Sequence, residues 1–136
     1  MIVVDTNILV SLWLSADSGD IAERLLLIDD GWSAPLLWHS EFRSVLVGYV
    51  RRRALSLAKA VQIIVSAEDQ MRNREYSVTS EAVIARAIGS GCTAYDCEFV
   101  VLAEQLDVPL ITRDRQVLAA FPRIAVSPDD FLSRDV

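Results

Sequence analysis

Ile2-Val3-Val4-Asp5-Thr6-Asn7 opens the chain with three β-branched apolar residues closed by an acid. A short, unbroken apolar run suits a strand buried on both faces, as in parallel sheets. An acid at the carboxyl end of such a strand points into the crevice where open α/β sheets bind ligands. An unpaired acid there costs free energy. Asp5 is therefore either the cap of the next helix, with Thr6 or Asn7 sharing that role, or part of a site.

Working outward, Asn7 to Trp13 reads as a short helix. Asp17 or Ser18 can cap a second helix, with Ile21, Leu25 and Ile28 on one face and a stop at Gly31. Trp32 to Ala34 is the next strand. Pro35 suits the entry to a helix that runs to about Arg52, with Leu37, Phe42, Val45, Leu46 and Tyr49 on its apolar side. Ser56 caps a further helix, in which Ala60, Ile63, Ile64 and Ala67 recur at helical spacing. Asn73 to Ser77 is a break with room for a minor extended piece. Thr79 or Ser80 starts a helix that ends at Gly89-Ser90-Gly91, and Thr93 caps another from about Ala94 to Leu106. Val108 to Thr112 is the clearest later strand. Asp114 to Phe121 is helical until Pro122, Ile124 to Val126 is a last strand, and Ser127-Pro128 begins a short helix. Alternating strands and helices predict an α/β fold: a central, mostly parallel sheet of four to five short strands with helices on both faces.

The 136 residues suit one domain over 1–136. An apolar fraction of 52% excludes disorder and points to apolar surface covered by a partner. No apolar run reaches the ~18 residues of a membrane span, and the N-terminus lacks the basic start of a secretion signal. The expected location is the cytoplasm, with no membrane contact. Cys92 and Cys97 are expected to be reduced thiols. The net charge of −6 argues against broad, non-specific nucleic-acid binding. All bases but Lys59 are Arg, and Arg43 with Arg51-Arg52-Arg53 forms a cluster. These suit either a helix C-terminus or phosphate.

Three further acids sit where they can join Asp5. Glu41 lies in an apolar helix pattern, with a solvated salt bridge as its ordinary role. Asp96 stands three residues after Thr93, as in a capping box. Asp114 follows the late strand and can cap a helix. Glu98 is two residues beyond Asp96 and points elsewhere on the helix, so it is left out. Two full charges about 5 Å apart repel by roughly 3 kcal/mol at an effective dielectric near 20. A hard divalent cation such as Mg²⁺ or Mn²⁺ removes that cost. His39, beside Trp38, reads as a structural histidine, and Ser40 and Ser44 have no partner for a catalytic triad.

Taken together, Val4-Asp5-Thr6-Asn7-Ile8-Leu9-Val10, Glu41, Tyr95-Asp96-Cys97-Glu98-Phe99-Val100-Val101-Leu102-Ala103 and Leu110-Ile111-Thr112-Arg113-Asp114 resemble the PIN-domain ribonucleases, and among them the VapC-like toxins of toxin–antitoxin pairs. The resemblance covers essentially the whole chain and implies a PIN-like three-layer sandwich. It implies that Asp5, Glu41, Asp96 and Asp114 are the catalytic and metal-binding acids, holding Mg²⁺ or Mn²⁺, with Asp114 the weakest ligand. Asn7 and Thr112 would orient carboxylates or substrate, and Arg43, Arg113 and Arg115 would contact substrate. The implied reaction is metal-dependent cleavage of RNA by an endoribonuclease toxin. The implied partners are a cognate VapB-like antitoxin and a second copy of the chain in a homodimer. Ile8 to Leu14 and the helix Ile21 to Ile28 are candidates for the antitoxin groove. Phe99 departs from the family's usual Tyr. Two other readings stay open: a catalytically silent PIN-like binding module, and a haloacid-dehalogenase-like phosphatase, which needs a second Asp where this chain has Asn7. A receiver-type domain would need a Lys after a late strand, and Lys59 is mid-chain.

Overall fold

The computed structural model describes residues 1–15 and 19–134. Five strands form one sheet: β1 (Ile2–Val4), β2 (Trp32–Pro35), β3 (Glu75–Tyr76), β4 (Leu110–Ile111) and β5 (Ala125–Val126). Their order is β3-β2-β1-β4-β5. The expectation of a mostly parallel sheet is sharpened, because every pairing is parallel. β1 is central, with Val3 opposite Ser33 on one side and Leu110 on the other. All three of its residues are buried, as the unbroken Ile-Val-Val run requires.

Helices cover both faces: α1 (Thr6–Leu14), α2 (Gly19–Ile28), α3 (Trp38–Arg51), α4 (Leu57–Gln70), α5 (Ser80–Ser90), α6 (Ala94–Leu106), α7 (Arg115–Ala120) and α8 (Pro128–Ser133). α6 lies against β1, β2 and β4 and packs on α5, while α1 packs on α2, α3 and α4. The sandwich is thus three-layered, with the extra middle helices α3 and α4 built onto one side. Ser56 caps α4 by accepting from the Lys59 N–H at 3.1 Å. Thr93 caps α6 by accepting from the Asp96 N–H at 3.0 Å. The cap expected at Asp17 or Ser18 lies outside the described residues.

Three readings are corrected. Pro35 does not enter a helix; it ends β2 opposite Tyr76, and α3 begins at Trp38. Having no N–H, Pro35 cannot extend the ladder toward β1, and that pairing stops at Ser33. The late strand is only Leu110–Ile111, although the Thr112 N–H still donates to the Val126 carbonyl at 3.1 Å. Ile28 is 47% exposed rather than part of the inner face of α2, which buries Ala22 and Leu25.

α3 is anchored by Trp38, Phe42 and Leu46 at i, i+4 and i+8. The Phe42 ring meets Trp38 edge-on at 5.8 Å, a favourable aromatic geometry. Phe42 is fully buried and adjoins Glu41, so it sets where that carboxylate sits. We predict that Phe42→Ala costs about 3–5 kcal/mol, read from urea unfolding; a loss under 1 kcal/mol would show that α3 is held by other contacts.

Candidate active site: four acids at the carboxyl edge of the sheet

In the strand order 3-2-1-4-5 the chain departs from β1 in opposite directions, and the crevice beyond β1 and β4 is the topological switch point. A cavity of about 450 Å³ lies among residues that include Asp5, Glu41, Asp96 and Asp114. Thr6, Asn7, Val10, Ser44 and Val45 complete its wall. Residues distant in sequence meet here because β1 and β4 are neighbours and α3 and α6 both start near that edge.

Asp5 caps α1 and is only 9% exposed. Its Oδ1 accepts from the Thr6 N–H at 2.7 Å. Its Oδ2 accepts from the Thr112 hydroxyl at 2.7 Å and from the Asn7 amide at 3.4 Å. Thr112 Oγ1 in turn accepts from the Asn7 amide at 3.3 Å and from the Asp114 N–H at 3.0 Å, which uses its hydrogen-bonding capacity in full. The Arg113 N–H donates to Asn7 Oδ1 at 3.2 Å. Burial pushes the Asp5 carboxyl up to about 6, with the charges of Glu41 and Asp96 adding to the rise and the bonds from Thr112 and Thr6 opposing it.

Glu41 does not make the surface salt bridge its sequence position allows. Its Oε1 accepts from the Thr6 hydroxyl at 2.7 Å. Its carboxyl is raised, first by burial and then by Asp96 and Glu98, against the Thr6 bond. Among the described residues the Asp96 carboxylate takes no hydrogen bond, so the return half of the capping box is not made. Asp114 is the cap its position allows, Oδ1 accepting from the Gln116 and Val117 N–H groups at 2.9 and 3.1 Å, and it also lines the cavity.

One contribution to the site escaped the sequence reading. Thr6 bonds Asp5 through its N–H and Glu41 through its hydroxyl; only its position after Asp5 could have signalled this. Glu98, left out of the site because of its spacing from Asp96, lines a separate pocket with Val78, Ser80, Val83 and Ile84, while its charge adds to the rise at Glu41. The three arginines do not line the cavity. Arg43 faces a groove between α3 and α4, about 200° around the helix from Glu41. The Arg113 guanidinium donates to Ser11 Oγ at 3.1 Å. Arg115 is exposed at the start of α7. His39 also lies outside; its ring is held between Glu68 and Glu75, and Trp38 Nε1 donates to Glu75 at 2.9 Å. Phe99 is core, not cavity.

The donor set is all oxygen, which fits a hard divalent cation. Such a charge would also offset the burial and repulsion that raise Asp5 and Glu41. Among the described residues, however, no three acidic, histidine or cysteine side chains form a ready-made cage. The acids line facing walls of one cavity, so an ion held there would complete its shell with water, as Mg²⁺ usually does.

Asp5 also makes folding depend on pH. Its folded-state pKa of about 6 lies above its ordinary 3.8. The folded chain therefore holds a proton that the unfolded chain has lost between these values, and stability falls as pH rises through them. In chelator, Asp5→Asn is predicted to be on the order of 2 kcal/mol more stable than wild type above pH 7, after losing part of the Thr112 bond, with the gap closing toward pH 4. Thermal unfolding at both pH values checks this; an equal gap at the two would sink it.

Comparison with known proteins agrees with this fold. The family model of the PIN domain matches residues 2–126. A curated relative, Ribonuclease VapC3 of Pyrobaculum aerophilum, is 25% identical over 126 residues, spanning 90% of this chain and 96% of its own. The crystal structure of PAE2754 from Pyrobaculum aerophilum superposes with a TM-score of 0.76 at 21% identity, covering 97% of this chain and 93% of that one. A toxin–antitoxin complex from Klebsiella pneumoniae contains a chain that superposes at 0.68 and 19% identity, covering 94% and 98%.

Proposed function

This chain belongs to the PIN domain family, and from that premise we propose that it is a Mg²⁺- or Mn²⁺-dependent endoribonuclease, the toxin of a toxin–antitoxin pair. The observation that carries this reading is the meeting of Asp5, Glu41, Asp96 and Asp114 around one cavity at the switch point of the sheet. The name of the curated relative, a ribonuclease, supports RNA as substrate.

Asp5, Glu41 and Asp96 are the residues that would hold the ion, with Asp114 contributing least because Oδ1 is committed to the α7 cap. A bound Mg²⁺ or Mn²⁺ would supply charge to offset that on the phosphoryl oxygens and would lower the pKa of a water, so that its proton is lost and hydroxide is available as the nucleophile. The protein's own part is positional. Thr112 and Asn7 occupy Oδ2 of Asp5, and the Thr6 N–H takes one site on Oδ1, which keeps a spare lone pair for a ligand. The Thr6 hydroxyl fixes Glu41 Oε1 and leaves Oε2 for a ligand. Ser44 offers a hydroxyl at the wall, and Val10 and Val45 offer apolar surface to a ribose or base. Arg113 and Arg115 remain substrate contacts at the margin, reached outside the cavity.

An antitoxin partner is supported by the toxin–antitoxin complex among the structural relatives. In the α1 and α2 segments Ile8, Leu9 and Leu25 are core, while Leu27 and Ile28 are exposed and offer it apolar surface. A further apolar groove of about 360 Å³ lies between α3 and α4, rimmed by Arg43 and Arg51. A homodimer would cover further apolar side chains such as Ile84 and Ile88, 55% and 81% exposed.

Purified chain freed of partners, given structured RNA and Mn²⁺, is expected to cut at few sites. Chelator, Asp5→Asn and Asp96→Asn should each reduce the rate by at least about a hundredfold. Equal cleavage by wild type and both variants would assign any activity to a contaminant and favour a silent binding module. Thr6→Val should weaken Mn²⁺ binding by about tenfold or more, as loss of a group that orients a ligand does; Thr6→Ser should restore it. Calorimetric titration with Mn²⁺ checks this, and unchanged affinity in Thr6→Val would exclude the orienting role.

A further inference from the structure

An RNA strand crossing the acid cavity brings its phosphates beside four carboxylates, on a chain of net charge −6. No Arg or Lys is among the residues that line that cavity. Arg43 and Arg51 line the groove between α3 and α4, and Arg113 donates to Ser11.

Along α3, Glu41, Ser44, Val45, Gly48 and Arg52 recur at the spacing of one helix face. The first three line the cavity. Arg52 is the C-cap of α3, and its side chain folds back over Gly48: a Cβ at position 48 would stand 3.2 Å from Arg52 Nη1. Its guanidinium carbon lies 4.9 Å from the centroid of the Tyr49 ring, within cation–π range. Glycine inside a helix weakens it; here the missing side chain opens the berth in which the guanidinium rests. Among the described residues, the arginine ion pairs are Arg72 with Asp69 and Arg86 with Glu104. Arg52 joins neither and is exposed, so its donors are oriented and free for an anion.

We propose that Arg52, berthed on Gly48 and Tyr49, is a phosphate-binding residue for single-stranded RNA leaving the acid cavity along α3. This rests on the ribonuclease reading above. Gly48 lies seven residues after Glu41, about 10 Å along the helix axis. The phosphate engaged is therefore a neighbour of the scissile one. A planar guanidinium grips phosphate through two parallel bonds, and the Tyr49 ring fixes its plane. Arg52 holds substrate away from the reacting atoms and so contributes to binding, not to the chemical step.

The test compares wild type with Arg52→Gln and Arg52→Lys. Cleavage of a structured RNA is followed in Mn²⁺. Binding of a mixed-sequence single-stranded RNA oligonucleotide is measured across KCl concentrations in the Asp96→Asn background. Arg52→Gln should raise KM and Kd by about fivefold to tenfold and flatten the slope of log K against log salt by about 0.7, the loss of one phosphate contact. Its kcat, Mn²⁺ affinity and unfolding midpoint should stay at wild-type values. Arg52→Lys should keep the slope and lose part of the affinity. Gly48→Leu fills the berth with Arg52 intact and should reproduce the weaker binding. Arg52→Gln with unchanged KM and unchanged salt slope overturns the proposal and leaves the ribonuclease reading standing. A wild-type chain that neither cleaves nor binds RNA overturns both.

Discussion

The Asp5 carboxylate, buried at the end of the central strand, is the constraint around which the site is arranged. A charge in that position must be satisfied. Three donors do so: the Thr6 N–H from α1, the Thr112 hydroxyl from the end of β4, and the Asn7 amide. The same bonds lock β1, α1 and the β4 turn together. Thr112 could not reach Asp5 unless β4 lay beside β1, so the sheet order and the hydrogen-bond network require each other.

The satisfaction is incomplete. Even with three donors, burial and the charges of Glu41 and Asp96 raise the Asp5 carboxyl. Glu41 is raised for the same reasons. The folded chain thus holds carboxylates under electrostatic stress at an open crevice, a combination that marks functional sites more often than structural ones. A hard divalent cation, as proposed for this site, would relieve that stress.

α3 serves two surfaces. One face carries Glu41, Ser44 and Val45 into the acid cavity, and the other, with Leu46, Val47 and Val50, walls the apolar groove against α4. Phe42 and Trp38 pin the helix to the core between them. The arrangement explains why neighbouring arginines differ in placement. Arg43 and Arg51 rim the groove, while Arg52 folds back on the face that leads to the acids.

The sequence by itself determined the elements. The Ile-Val-Val run, the caps at Ser56 and Thr93 and the stop at Gly91 depend on contacts within a few residues, and those local rules survive folding. The four acids were legible only as a set: Glu41, Asp96 and Asp114 each have an ordinary local role, and the resemblance to the PIN-domain pattern joined them to Asp5. Tertiary structure alone decided how side chains from separate elements meet. The Thr6 hydroxyl on Glu41 spans 35 positions. The influence of Glu98 on Glu41 depends on how α3 and α6 are rotated against the sheet. Pro35 became a strand end because β3 was there to pair with it. Such outcomes are set by packing of distant surfaces, to which periodicity and capping along the chain are blind.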